Sequence, residues 1–224
     1  MKPKLLIVDD SLTVRMDLGE AFEASGFAIT LCPTAAACRE AIAREPYDLI
    51  VLGEMPRKLF RPEELQWLSD FVGNRGGGLI LVDGRRGEWP LFKGTPIETL
   101  LPVDVKSGQG KTASSPPVRL QLTERGATVP ALELVSGSTD NAALWPLLPA
   151  MHWIASATAK PCSETFLEAM VGQTRAPALV FRRFGAGKVL YAGFDESWRW
   201  RYEVADRYHA RYWNQLGKWM MEPP

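Results

Sequence analysis

Lys4-Leu5-Leu6-Ile7-Val8, running into Asp9-Asp10, and Asp48-Leu49-Ile50-Val51-Leu52, running into Gly53, are the stretches that decide the fold of this chain. Each is a short unbroken apolar run rather than an alternating one, and a strand apolar on both faces is buried on both. Such strands belong to a parallel sheet covered by helices, and the sequence between them supplies the helices. Ser11 caps a helix to about Ser25, with Leu12, Val14, Leu18, Ala21 and Phe22 near helical spacing and Gly26 as its stop. Phe27 to Cys32 reads as the second strand. Thr34 then caps a helix to about Arg44, and Pro46 prevents its continuation. Residues 1–52 are therefore a βαβαβ half.

The same alternation continues for one more unit. Pro62, Glu63 and Glu64 suit the first turn of a helix whose buried stripe is Leu65, Leu68, Phe71 and Val72. Gly76-Gly77-Gly78 ends it, Leu79 to Val82 is the fourth strand, and a short helix near Pro96 to Leu101 follows an irregular loop. Ser107 to Pro117 lacks large apolar residues and reads as a flexible loop. Beyond it, strands are expected at Val118–Leu122, Ala131–Val135, Trp153–Ala157, Phe166–Val171, Ala178–Arg183 and Lys188–Ala192, with a short helix over Asn141–Leu148. Phe184-Gly185-Ala186-Gly187 has the glycines of a hairpin turn. A final helix, about Ala205 to Met220, places Tyr208, Tyr212, Leu216 and Trp219 on one stripe. The fold class is α/β, a doubly wound parallel sheet with a β-rich C-terminal portion and a C-terminal helix.

Composition narrows the function. With 46% hydrophobic residues the 224-residue chain can bury a sizeable core. Lysine plus arginine and aspartate plus glutamate both number 26, so no overall field favours nucleic acid. The apolar run after Lys4 stops at Asp9, too short for a signal peptide or a membrane span. Cys32, Cys38 and Cys162 have neither CxxC spacing nor an even count, which fits reduced thiols and a cytoplasmic location.

On the two quoted strands and their acidic and glycine endings, residues 1–52 resemble the first half of a bacterial response-regulator receiver domain. The resemblance implies that Asp9 and Asp10 hold Mg2+ and that an aspartate after the third strand attacks a phosphoryl donor. Gly53 stands at that phospho-acceptor position, so the phosphorelay site is expected to be disabled. Asp9 and Asp10 keep three readings: residual metal ligands, helix caps or solvated carboxylates. Glu54 comes one residue late and is expected to point away from the pair. The hydroxyl implied after the fourth strand is replaced by Asp83, and Lys160-Pro161 mimics the implied Lys-Pro pair only by coincidence of sequence.

From about Val51 a second family resemblance begins. Phe71-Val72 with Gly76 to Val82, Leu100-Leu101-Pro102-Val103, Trp145-Pro146-Leu147-Leu148-Pro149, Phe184 to Tyr191 and Asp195-Glu196-Ser197-Trp198-Arg199-Trp200-Arg201 resemble class I glutamine amidotransferase-like domains of uncharacterised bacterial proteins. Both resemblances imply a flavodoxin-like sheet, so residues 1–52 and 53–224 can form a single domain over 1–224. An active amidotransferase needs a cysteine on the turn after a strand, with a histidine and an acid. The corresponding turn is Asp83-Gly84-Arg85-Arg86, and His152 and His209 have no matching cysteine.

Two further motifs each have two readings. Gly108-Gln109-Gly110-Lys111-Thr112 ends like a phosphate-binding loop but lacks its first glycine and a following helix, and reads as a solvated loop. Trp198-Arg199-Trp200-Arg201, read as extended, puts two indoles on one face and two guanidiniums on the other, a surface for an anionic or aromatic partner. The competing reading makes the tryptophans core and pairs the arginines with Asp195, Glu196 or Asp206. The function expected is a non-catalytic binding or regulatory module with an unidentified protein partner and at most Mg2+ as a cofactor. The alternatives are a phosphorelay protein using another carboxylate, an amidotransferase-like hydrolase with a different nucleophile, and a recombined or engineered chimera.

Overall fold

The computed structural model describes residues 2–23, 26–106, 117–203 and 207–222, and for 202, 203 and 207 the backbone only. Its first elements follow the sequence pattern: β1 (Lys4–Val8), α1 (Leu12–Glu23), β2 (Ala28–Cys32), α2 (Ala35–Arg44), β3 (Leu49–Leu52), α3 (Pro62–Gly73) and β4 (Gly78–Val82). A short helix α4 (Pro96–Leu100) and strand β5 (Val103–Val105) come next. After residue 116 the described elements are β6 (Leu120–Leu122), α5 (Glu124–Ala127), α6 (Ser138–Leu144), β7 (Ala157–Ala159), β8 (Glu164–Val171), β9 (Thr174–Phe184), β10 (Gly187–Ala192), α7 (Trp200–Glu203) and α8 (Arg207–Met221).

One eight-stranded sheet, ordered β2-β1-β3-β4-β10-β9-β8-β6, runs through the molecule, and β5 with β7 forms a small separate pair. The five strands from β2 to β10 are parallel, in the flavodoxin-like order, and β9, β8 and β6 extend the sheet antiparallel. Alternation along β1 sorts its side chains. Leu5 and Ile7 join Leu18 and Phe22 of α1 in one core layer, while Leu6 and Val8 join Ala41, Leu65 and Leu68 of α2 and α3 in the other. Helix α8 packs beside α1 on the first face, with Phe22 tilted against Trp213 at 5.9 Å between ring centroids. The approach there is close enough that a Cβ on Gly217 would stand 2.7 Å from the Phe22 ring.

Several expected elements differ. Ala131–Val135 is not a strand: a 3-10 turn, Pro130–Leu132, begins there because Pro130 fixes φ and withholds a ladder donor. Trp153–Ala157 gives a strand only from Ala157 onward, since the backbone N–H groups of His152 and Trp153 go to the Glu196 carboxylate instead of a neighbouring strand. Val118 contributes a single bridge to Met151, and β6 starts at Leu120. The helix near 141 ends at Leu144 and passes into a 3-10 turn, Trp145–Leu147, at Pro146. The hairpin between β9 and β10 is as expected, with Gly185 at φ 56°. The loop at 107–116, with its phosphate-loop-like motif, lies outside the described residues, as do Ala205 and Asp206.

Candidate functional site

The carboxyl ends of the parallel strands carry the acids. Gly53 donates its N–H to Val8 O at 2.8 Å and Asp83 donates to Ala192 O at 2.8 Å, so Asp9, Gly53 and Asp83 each sit one residue beyond a strand end. Asp9 is buried, and its Oδ1 accepts the Ser11 N–H at 2.7 Å, a bond that turns the chain into α1. Arg15, one turn into α1, donates to the Asp9 carbonyl at 2.6 Å. The Asp9 carboxylate thereby lies where a side chain on residue 53 would be: a Cβ there would stand 1.7 Å from Asp9 Oδ2. Burial raises the Asp9 pKa to about 6.

Asp10 points elsewhere. Its two oxygens accept Nη1 and Nη2 of Arg86 at 2.6 and 2.5 Å, a bidentate fork that holds the Asp10 pKa below its usual value. Arg86 is placed by Glu54, whose carboxylate accepts the backbone N–H groups of Arg86 and Glu88 at 2.7 Å each. Glu54 is buried, and a Cβ on Gly84 would come within 2.6 Å of its Oε2, so this glycine lets the loop after β4 close over it. Glu54 thus turns toward the β4 loop and supports the arginine that neutralises Asp10.

Three acids complete the edge. Asp83 is 2% exposed, accepts the Gly84 N–H at 2.8 Å and a short hydrogen bond from the Tyr191 hydroxyl, and is raised by burial to about 8. Asp195, two residues past the last strand-end glycine, is raised to about 6 by burial and by Glu196 beside it. Glu196 is a latch: one oxygen takes Arg85 at 2.8 Å and Arg199 at 3.4 Å, the other the N–H groups of His152 and Trp153 at 2.5 and 3.2 Å.

These bonds do not fit the Mg2+ site implied by the receiver resemblance. One of the two expected ligands is neutralised by a guanidinium, the other is committed to a helix start, and the third position is Gly53. Among the described residues no group of three His, Cys, Asp or Glu is arranged to hold a metal ion. Lys160 donates to Glu98 O at 2.5 Å and lies 3.7 Å from Asp104, bonds made away from the acids of the carboxyl edge.

The tryptophan-arginine block is helical rather than extended, because Ser197–Arg199 forms a 3-10 turn that passes into α7, so its side chains diverge instead of alternating. Trp200 is fully buried against Trp145 and Tyr212, with ring centroids at 5.8 and 5.2 Å. Trp198 is half-buried under the Arg199 guanidinium at 4.7 Å. Arg199 pairs with Glu196, as one expectation had it, and Arg201 reaches back to Asp17 and Glu20 of α1, at 2.8 Å each, while the expected partner Asp206 lies outside the described residues. Arg86, Tyr191 and the latch role of Glu196 were not singled out from the sequence. The available signal was the Arg85-Arg86 pair in the loop after the fourth strand, at the same sheet edge as Asp9-Asp10. Cys32 and Cys38 are buried or partly so, Cys162 is exposed, all three are free thiols, and burial pushes Cys38 up to about 12.

No family model and no curated protein matches the chain. Among solved structures, the signal receiver domain of an HD domain-containing protein from Pseudomonas fluorescens Pf-5 is 17% identical over 38% of this chain and 66% of that chain, with a TM-score of 0.32. A CheY-like response regulator receiver domain protein from Methanospirillum hungatei JF-1 is 21% identical over the same shares, with a TM-score of 0.33. An exo-beta-1,4-mannosidase, Op5Man5, from Opitutaceae bacterium strain TAV5 is 10% identical, with a TM-score of 0.54 over 99% of this chain and 36% of that one. The chain therefore spans about a third of the mannosidase, and the likeness shows that the fold from β1 to α8 recurs within one longer chain. No helix among the described residues is long and apolar enough to cross a membrane.

Proposed function

We propose that this chain is a non-catalytic binding or regulatory module built on a receiver-like start whose reaction site is sealed. The observation that carries this reading is the Asp9 carboxylate in the space of the missing residue 53 side chain. Beside it Arg86 supplies the positive charge that a divalent cation would otherwise bring to Asp10. Incubation with acetyl phosphate and Mg2+ is expected to leave the intact mass unchanged. A stoichiometric, base-labile adduct on Asp9, Asp10 or Glu54 would overturn the reading in favour of a phosphorelay protein.

One observation favours catalysis instead. Carboxyl groups with raised pKa values gather at active sites, and Asp9, Asp83 and Asp195 share one sheet edge. Against it, Asp83 and its partner Tyr191 are 2% and 0% exposed, leaving a substrate no approach to the most perturbed of the three. No cysteine stands in the Asp83-Gly84-Arg85-Arg86 turn where the amidotransferase-like resemblance would place a nucleophile. Labelling of the folded chain by a thiol- or hydroxyl-directed activity probe at a single site would revive the hydrolase alternative.

A further inference from the structure

The large sheet ends at β2, and that edge is open. Ala28 donates its N–H to Pro3 O at 2.9 Å and the Cys32 carbonyl accepts the Asp9 N–H at 3.2 Å, so Ala28, Thr30 and Cys32 turn their backbone groups toward β1. The same alternation turns those of Ile29 and Leu31 outward, where they have no partner among the described residues. A row of unpaired strand groups is a template for another strand, and proteins guard it with charge, proline or brevity. The strand at the opposite edge, β6, is only three residues long. β2 is unguarded: its five residues, Ala-Ile-Thr-Leu-Cys, include neither a charge nor a proline.

Its surroundings are apolar. Leu31 is 38% exposed, Met16 of α1 47%, and Leu12, one turn earlier on the same helix face, 64%. Met16, Ile29 and Leu31 line a groove of about 250 Å³ between α1 and β2. Gly19 lets the helix lie close to the strand, since a Cβ there would stand 3.5 Å from Leu31 Cδ2. Exposed apolar residues are ordinary when scattered, but these stand together beside unpaired backbone groups.

The edge is also its own complement. Residues directly opposite in an antiparallel ladder alternate between couples that exchange two N–H···O bonds and couples that exchange none. A two-fold axis beside Thr30 sets Ile29 against Leu31 of a second copy, and Leu31 against Ile29 of that copy. Every outward N–H and C=O of the two residues then finds a partner. The two Thr30 residues, whose groups already serve β1, face each other in the couple that needs no bond. On the α1 side the same register lays Ile29 beside Leu31 across the axis, over the groove, a cross-strand apolar pair made twice.

We propose that β2 is the interface of a two-fold dimer of this chain, in which the two edges pair antiparallel about Thr30 and the two sheets become one. The assembly closes at two copies because pairing consumes the open edge. The inference goes beyond the module reading and does not depend on it, so neither outcome of the acetyl phosphate experiment bears on it.

Sedimentation velocity on the full chain is expected to show a monomer–dimer equilibrium with a dissociation constant of about 10–100 μM, the affinity of a small interface. Leu31→Lys sets an ammonium on the edge and should raise that constant at least about tenfold. Met16→Lys, at an exposed helix position, should raise it severalfold and keeps the test open should the first variant fold poorly. Amide hydrogen exchange reads the register. The Ile29 and Leu31 N–H groups should slow as concentration rises through the dissociation constant, while those of Ala28, Thr30 and Cys32, held by β1, stay slow throughout. A chain still monomeric at about 500 μM, a dimer unmoved by both variants, assemblies larger than two as the main product, or Ile29 and Leu31 exchange independent of concentration overturns the proposal.

Discussion

Along one edge of the sheet, the acids behind β3 and at the start of α1 contrast with the acid behind β10. Asp10 and Glu54 have both carboxylate oxygens bonded, to a guanidinium fork and to two backbone N–H groups. Asp195 keeps a buried oxygen without a hydrogen-bond partner among the described residues. The same chemical group is fully bonded at one end and buried with an oxygen unbonded among the described residues at the other. What separates them is the supply of donors: the loop after β4 brings Arg86 and its own backbone to the first pair, while the donors near Asp195 are drawn off by Glu196.

The largest effect expected from this contrast is on pH dependence. Asp83 is raised from 3.8 to about 8, and Asp9 and Asp195 to about 6, so the folded chain holds protons that the unfolded chain has released. These three acids therefore impose no penalty below about pH 4; the penalty grows up to about pH 6 for Asp9 and Asp195 and about pH 8 for Asp83. Denaturant melts are expected to show stability falling from pH 5 to pH 8, on the order of several kcal/mol. Asp83→Asn should flatten the portion between about pH 6 and 8. A stability that rises through that window would contradict the sealed edge.

Next comes the boundary between core and surface. Trp200→Ala is expected to cost about 3–5 kcal/mol through lost burial and a cavity among Trp145, Phe194 and Tyr212. Trp198→Ala, at a half-buried position, should cost about 1 kcal/mol. Equal losses in urea melts would mean that Trp198 is core too. Gly53→Ala should then cost about 1–3 kcal/mol, because the new Cβ forces Asp9 off the Ser11 N–H. For the same reason, Gly53→Asp should not yield a phosphorylatable chain in the mass assay unless Asp9 is also moved. The smallest change is Arg86→Ala. Its pair with Asp10 is exposed, so the loss should stay within about 1 kcal/mol in equilibrium unfolding.

The parallel half of the fold was legible because burial on both faces leaves an unmistakable mark, unbroken runs such as Leu49 to Leu52 and Leu79 to Val82. The middle of the chain was not, because its apolar residues serve turns. Leu132 and Leu134 are fully buried without a strand, held by Pro130 and by the Asn141 side chain, which accepts the Leu134 N–H at 2.8 Å. At the site, Asp9, Asp10 and Gly53 were visible as a pattern, and the absent acceptor was read from Gly53 itself. Their actual bonds depend on where Arg86 falls in space, which no local spacing reveals. The extended, two-faced reading of the tryptophan-arginine block failed for a related reason, while its core reading holds at Trp200 and at the Arg199–Glu196 pair. Alternation presumes an extended chain, and two consecutive short helical turns removed the premise.

The packing of α8 on α1 has a consequence for how the chain is made. Phe22 on α1 and Phe27 just before β2 are synthesised long before Trp213 and Gly217 of α8, which close over them. A first βαβαβ half released alone presents an open aromatic face, which stays open until α8 has been made and can dock on it. Nascent chains stalled anywhere before α8 should accordingly be protease-sensitive and attract holding chaperones, and emergence of α8 should bring resistance.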